Sequence, residues 1–472
     1  MNALHTHQAL LAAAERRAVA KTTRRHVHLS PRPLVLVGYH LAGDLGAPLA
    51  LMWGTSRDEE PHCTVVPEPR NRSLRFEALA GFAAEFLAYL SDFESRDEAG
   101  VCLDAPQLVV PNAATADWLG GIVGRFTRNL RADGDSSAPP SVPLAGKYLS
   151  FFADLMPGSS LVLAATDALT THWQTGQLPS EDLNLAALLG WIDPPAGMYA
   201  PQAARAGEAS PPAGPESDPN WDAETLAELI QEWHAADDEA SRSAIRRELA
   251  GEIREQLTPA WADCWRALDR LDSLPAADHV TSRWQSDRRS WTGHCDRVAE
   301  GRAYFRNIPT PVQDATRLRI LEARTEDLQR EMAWDDPLVM AAVVASGEAL
   351  AGRVVRTDAQ RRTQNGNGRM VRRPLITIEP ALEFARPAGT TLFLSTNPGV
   401  KLEVLPSDGS GLIRAEVLRG ANQNTTIGLL PNLGDEVVLS PYGKPEFYQR
   451  PKVEYIPWTH QQILEDEPEE SQ

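Results

Sequence analysis

The chain has 472 residues, enough for about two to four domains. Its 46 Lys and Arg against 64 Asp and Glu give a net charge of -18, which excludes a uniformly cationic coat for nucleic acid or anionic lipid but not a local basic face. Four cysteines, none within metal-clip spacing of another, exclude a disulfide framework and a Cys-type zinc site, and with no apolar run long enough for a signal segment or a membrane span they point to a cytoplasmic protein.

Residues 1–32 read as a basic amino-terminal arm carrying Arg16, Arg17, Lys21, Arg24, Arg25, His26 and His28, either a solvated tail or an electrostatic contact for nucleic acid or a partner. From 33 to 195 strand and helix signals alternate. Apolar runs predict strands over 34–37, 48–53 and 63–66. Ser73 then caps an amphipathic helix over 74–90, in which Phe76, Leu79, Phe82, Phe86 and Leu90 recur at helical spacing. A strand over 108–110, a helix over about 115–131, a polar break at 132–143, a strand over 161–165 and a helix over 180–191 complete an α/β pattern.

Residues 196–221, rich in Pro, Ala and Gly and poor in large apolar side chains, read as a linker. Residues 222–363 carry helical periodicity and predict an α-helical domain, with Asp335 and Asp336 as caps before Pro337. The Gln-Asn-Gly-Asn-Gly run opens a hinge at 364–373. Short strands separated by Asn397-Pro398-Gly399, Ser407-Asp408-Gly409 and Leu433-Gly434-Asp435 then predict a small β-barrel, of the OB or SH3-like size, over 374–450, with Lys401, Arg414, Arg419 and Lys444 beside Phe393, Tyr442 and Phe447. Residues 451–472 form an acidic tail. The fold class expected is therefore a multidomain α+β protein with an N-terminal α/β domain, a central α-helical domain and a C-terminal small β-barrel.

Within the first domain the order strand, strand, strand, helix, strand, helix, strand, helix is accompanied by local likenesses. Gly38-Tyr39-His40-Leu41-Ala42-Gly43-Asp44 leads through a glycine turn into the small-residue strand Pro48-Leu49-Ala50-Leu51, and Asn71-Arg72-Ser73-Leu74-Arg75-Phe76-Glu77 places a carboxylate near a helix start. Val109-Val110-Pro111-Asn112 ends a strand, and His172-Trp173-Gln174-Thr175-Gly176-Gln177 precedes Glu181-Asp182-Leu183-Asn184. These segments resemble the ribonuclease H-like fold, over about the first two fifths of the chain. The resemblance implies a phosphodiester site in which clustered carboxylates hold two metal ions. Glu77 matches the helix carboxylate, but Tyr39 or His40 stands at the first-strand position, Asn112 at the fourth-strand position, Gln177 at the loop His, and Asp182 or the neutral Asn184 at the last carboxylate. The implied site is degenerate at His40, Asn112, Gln177 and Asn184. An active variant would draw on Asp44, Glu77, Asp167 and Asp182 with Mg²⁺ or Mn²⁺; otherwise no cofactor or metal is expected.

The helical region holds a basic and aromatic stretch, Arg283, Trp284, Arg288, Arg289, Trp291, His294, Arg297, Arg302, Tyr304, Phe305 and Arg306. Arginines for phosphates and rings for unpaired bases make a nucleic-acid groove, while the same residues also suit a helix that buries Trp284, Trp291 and Phe305 and leaves its arginines in water. No phosphate-binding glycine loop, dinucleotide fingerprint, His-Glu-x-x-His or nucleophile elbow occurs, so any motor must come from another chain. The expected function is a non-catalytic, nucleic-acid-associated accessory or scaffold protein acting with a separate helicase or nuclease in DNA repair or phage defence. A divergent metal-dependent nuclease and a protein-protein scaffold without nucleic-acid binding are the alternatives.

Overall fold

The computed structural model describes residues 3–131, 138–305, 308–364, 366, 368–384, 386–423, 425–444, 453, 455–459 and 461–462. Half of the polar break after Arg131 (132–137), Arg306, Phe447 and much of the acidic tail, including all of it after Gln462, lie outside the described residues. The protein is mixed α+β and divides into two compact units, 9–326 with 451–472 and 1–8 with 327–450.

In the larger unit, the apolar runs of the sequence become β1 (Leu34–His40), β2 (Pro48–Gly54), β3 (His62–Val65), β4 (Leu108–Val110) and β5 (Val162–Ala164). They form one sheet in the order β3-β2-β1-β4-β5, antiparallel across the first three strands and parallel from β1 to β4 and β5. Every residue of β1 is buried because both faces of the sheet are covered. Leu34 and Leu36 face a core with Phe82, Phe86, Phe152 and Trp291; Val35, Val37 and Tyr39 face a second core with Leu169, Leu188, Ile253 and Leu257.

The helices, in chain order, are α1 (Ala3–Glu15), α2 (Arg72–Ser91), α3 (Ala113–Asp117), α4 (Ser141–Ala153), α5 (Ala165–His172), α6 (Leu185–Ile192), α7 (Ala200–Glu208), α8 (Ala227–Ala235), α9 (Glu239–Asp272), α10 (Val280–Ala299), α11 (Pro311–Asp335) and α12 (Pro337–Ala345). The cap of α2 is Asn71, whose side chain accepts from the Ser73 and Leu74 amides, two residues before the expected Ser73. The helix expected over 115–131 continues from α3 into a π-helical stretch, Trp118–Gly124, before a last α turn, Arg125–Thr127.

Three boundaries differ from the sequence reading. The basic arm is not simply a solvated tail: Thr22, His26 and Ser30 are buried, the Lys21 amide donates to His172 O at 2.8 Å, and the Arg25 amide donates to Pro275 O at 2.8 Å. Residues 196–221 are not a linker between domains. Ala200, Ala203 and Ala204 of α7 are buried, small enough to sit against α6, and Glu216 bridges to His40 at the end of β1. The helices α8, α9 and α10 therefore belong to the same unit as the sheet, with α9 supplying Leu249, Ile253, Leu257 and Cys264 to its second core.

In the smaller unit, β6 (Leu350–Asp358), β7 (Leu375–Pro380), β8 (Thr391–Leu394), β9 (Asn397–Val404), β10 (Ile413–Arg419) and β11 (Glu436–Ser440) close a barrel in the order β7-β10-β9-β8-β11-β6. Alternate residues point inward, among them Ile376, Ile378, Val400, Leu402, Val404, Ala415 and Val417. The barrel begins about 25 residues before the expected start, because β6 falls in the stretch read as helical, and the expected hinge holds a hairpin pairing Arg362–Gln364 with Met370–Arg372. Buried Leu350 and Val354 explain the misreading: a separation of four suits one face of a helix and, being even, one face of a strand. Among the described residues no helix is long and apolar enough to cross a membrane.

Candidate functional site

Strand β4 pairs in parallel with the first residues of β1, so β1 runs on past the end of β4, at the carboxyl edge where open α/β sheets place their sites. They present Tyr39 and His40 from β1 and Asn112 just past β4, all buried. Asn112 is held in place as the cap of α3, its Oδ1 accepting from the Thr115 amide at 2.8 Å and the Thr115 hydroxyl at 2.9 Å.

The backbone at the end of β1 is paired with the chain's own 211–217, while Tyr39 and His40 point to opposite faces of the sheet. The His40 amide donates to Pro215 O at 2.7 Å, the Ser217 amide donates to His40 O at 3.1 Å, and His40 and Glu216 form a parallel bridge. Asn112 Nδ2 donates to Gly214 O at 2.8 Å, and the Tyr39 hydroxyl donates to Pro212 O. Burial, with Asp218 and Asp222 nearby, raises the Tyr39 hydroxyl above its ordinary range and keeps it a donor. Gly214 has φ +93°, and a Cβ there would stand 2.6 Å from Gly38 O. Only glycine lets this strap approach so closely. Asp222 locks its far end, accepting from the Ser217 hydroxyl at 2.7 Å and the Ala42 amide at 3.0 Å. His40 Nδ1 lies 2.9 Å from Leu41 O and so donates to it, and its ring packs on Trp118 at 5.6 Å.

The other sequence-predicted positions do not join this site. Glu77 is exposed on α2 and faces Arg246 at 3.4 Å. Asp44 sits in the turn after β1, paired with Arg70 at 3.0 Å. Asp167 lies in the first turn of α5, where burial raises its carboxyl and Thr166 partly offsets this. Asp182 and Gln177 do come together: buried Asp182 accepts from Thr175 at 2.7 Å and from Gln177 Nε2 at 2.9 Å. Burial raises the Asp182 carboxyl and lowers the Lys21 amine facing it. Asn184 caps α6 through the Ala187 amide at 3.1 Å. His172 is fully buried, its Nδ1 2.6 Å from Ala168 O and its Nε2 accepting from the His26 amide at 3.0 Å, a structural imidazole. Among the described residues no group of three or more His, Cys, Asp or Glu is arranged to hold a metal ion.

The basic and aromatic stretch of α10 turns its rings inward. Trp291 is fully buried and donates to Phe93 O at 3.1 Å; Trp284 donates to Asp104 at 3.0 Å and stacks on His28 at 3.9 Å. Rings seven positions apart share the core face of the helix, so neither is open to a base. Arg283 donates to His26 O at 2.8 Å, and Arg288 donates twice to Cys102 O at 3.0 and 2.8 Å, which makes both structural ties. Arg289, Arg297 and Arg302 are exposed, and Arg302 pairs with Glu300. The functional residues that sequence reasoning missed are those of the strap, Pro212, Gly214, Pro215 and Ser217. Their signal was a run of small residues and prolines with no large side chain of its own to bury. In comparisons with known proteins no family model matches the chain, and no curated protein or solved structure matches it.

Proposed function

We propose that this chain is a non-catalytic, nucleic-acid-associated accessory protein built on a degenerate ribonuclease H-like domain. The element order β1-β2-β3-α2-β4-α3, followed by β5 and α5, supports the resemblance carried by the sequence. The observation that carries the reading is the state of the strand ends. Where the family would hold metal-binding carboxylates stand buried His40 and Asn112, and 211–217 hydrogen-bond to the His40 backbone and to Asn112 Nδ2. Hard divalent ions need clustered anionic oxygens, which an imidazole and an amide do not provide. Nothing in the placement of Asp44, Glu77, Asp167 and Asp182 favours the nuclease alternative.

The six-stranded barrel, in this reading, is the OB or SH3-like module through which a separate helicase or nuclease of DNA repair or phage defence is engaged. A native-gel shift with duplex, hybrid and single-stranded oligonucleotides at low salt tests the nucleic-acid part. The expected result is a retarded complex that is lost steeply as salt is added, the mark of counterion release. No shift with any of the three overturns the reading.

A further inference from the structure

The sequence stretch expected to touch nucleic acid is largely consumed by the core, so the cationic surface has to be sought elsewhere. A cleft of about 270 Å³ opens between the π-helical stretch Trp118–Gly124, α4 and the start of α11, all within the larger unit. Three guanidiniums line it, Arg125, Arg128 and Arg317, against two carboxylates, Asp117 and Asp154. Arg317 meets Asp154 at 2.6 Å, and Arg128 donates to the Ser150 hydroxyl at 3.3 Å. The cleft thus keeps a positive excess in a protein whose net charge is -18. Burial lowers the Arg128 guanidinium, Asp154 opposes the shift, and Arg125 and Arg317 add to it, so Arg128 stands among charges of both signs.

One aromatic ring is placed against these charges. The Phe305 ring lies 4.8 Å from the Arg128 guanidinium and is tied there by Asn129 Nδ2, which donates to Phe305 O at 3.1 Å. Tyr304, the next residue, is 78% exposed, and Phe126, between Arg125 and Arg128 in sequence, is 64% exposed.

We infer that this cleft binds the phosphates of a single-stranded nucleic acid, with Arg125, Arg128 and Arg317 on the backbone and the neighbouring rings offered to unpaired bases. The inference rests on the function proposed above and names its binding surface. Arginine suits the role because its planar donors meet two phosphate oxygens at once, and stacking on rings adds to affinity without demanding a sequence. Gly121 supplies an independent probe, since a Cβ at this cleft-lining position would meet nothing within 4 Å and a longer side chain can enter the cleft without displacing the core.

The test is fluorescence anisotropy of a labelled single-stranded oligonucleotide titrated with the full chain, as wild type, R128Q/R317Q, Gly121→Glu and R289Q/R297Q, each checked for an unchanged melting temperature. The expected result is at least tenfold weaker binding for R128Q/R317Q, with a log K against log salt slope shallower by about 1.4 for two lost phosphate contacts, and at least fivefold weaker binding for Gly121→Glu. R289Q/R297Q, whose arginines lie on the exposed side of α10, should stay within twofold. Wild-type binding that both cleft changes leave intact overturns the cleft while the proposed function stands. Absence of wild-type binding overturns both.

Discussion

At Asn112 one side chain does three things: it caps α3, holds Thr115, and donates to Gly214 O of the strap. The cap needs only an oxygen, so Asp would serve it equally; the bond to Gly214 needs a donor, and that distinguishes Asn from Asp at this position. Asn112→Asp sets a carboxylate against a carbonyl oxygen in a buried place, at a cost of about 1–3 kcal/mol near neutral pH. Facing that oxygen, the introduced carboxyl has a folded-state pKa raised above its unfolded value. The stability it contributes is therefore present below the unfolded value, near 4, and lost as pH rises through the folded one. Melting temperatures of the variant and wild type should converge as pH falls from 7 toward 4; a gap that stays constant or widens contradicts the bond described. None of this was legible from the residue alone, since Asn after Pro111 reads as a turn residue whichever partner it has. Trp284 and Trp291 teach the same lesson in reverse, because composition could not say which side of α10 faces the core.

Among elements, the strands β1 to β5 were readable because unbroken apolar runs in an α/β pattern have little else to be. The strap and α7 were not, because their burial comes from alanine, glycine and backbone rather than from large side chains. α10 shows how a helix is fixed by one polar group. Its Asp287, 8% exposed, accepts from the Ser159 hydroxyl at 2.7 Å and the Ser160 amide at 2.8 Å, pinning the helix to the turn before β5. Burial nonetheless pushes the Asp287 carboxyl up to about 6. A group raised in the folded state contributes stability that is full below its unfolded value and lost as pH rises through the folded one. Wild type should therefore gain on Asp287→Asn as pH falls from 7 to 4, by on the order of 2 kcal/mol, read by urea denaturation at stepped pH. A difference that is flat with pH would mean that the carboxyl is not desolvated in the folded protein.

For the whole molecule, the net charge of -18 set the first limit, and the structure sharpens it. Cationic residues of the amino-terminal segment and of α10 are in part spent on holding the larger unit together, as Arg25 with Asp272 at 2.7 Å and Arg283 with His26 O show, and a cationic cleft remains at Arg125, Arg128 and Arg317. The barrel was legible as a class from its turn signals, whereas its first strand was not. At this scale we propose that the strand-end site of the larger unit is a structural junction closed by its own strap, in a protein that holds nucleic acid and does not cut it. The most direct measurement is a denaturing gel of labelled hybrid, duplex and single-stranded oligonucleotides incubated with the full chain in Mg²⁺ and in Mn²⁺. The account predicts full-length strands in every lane. Metal-dependent products that vanish in Glu77→Ala would contradict it.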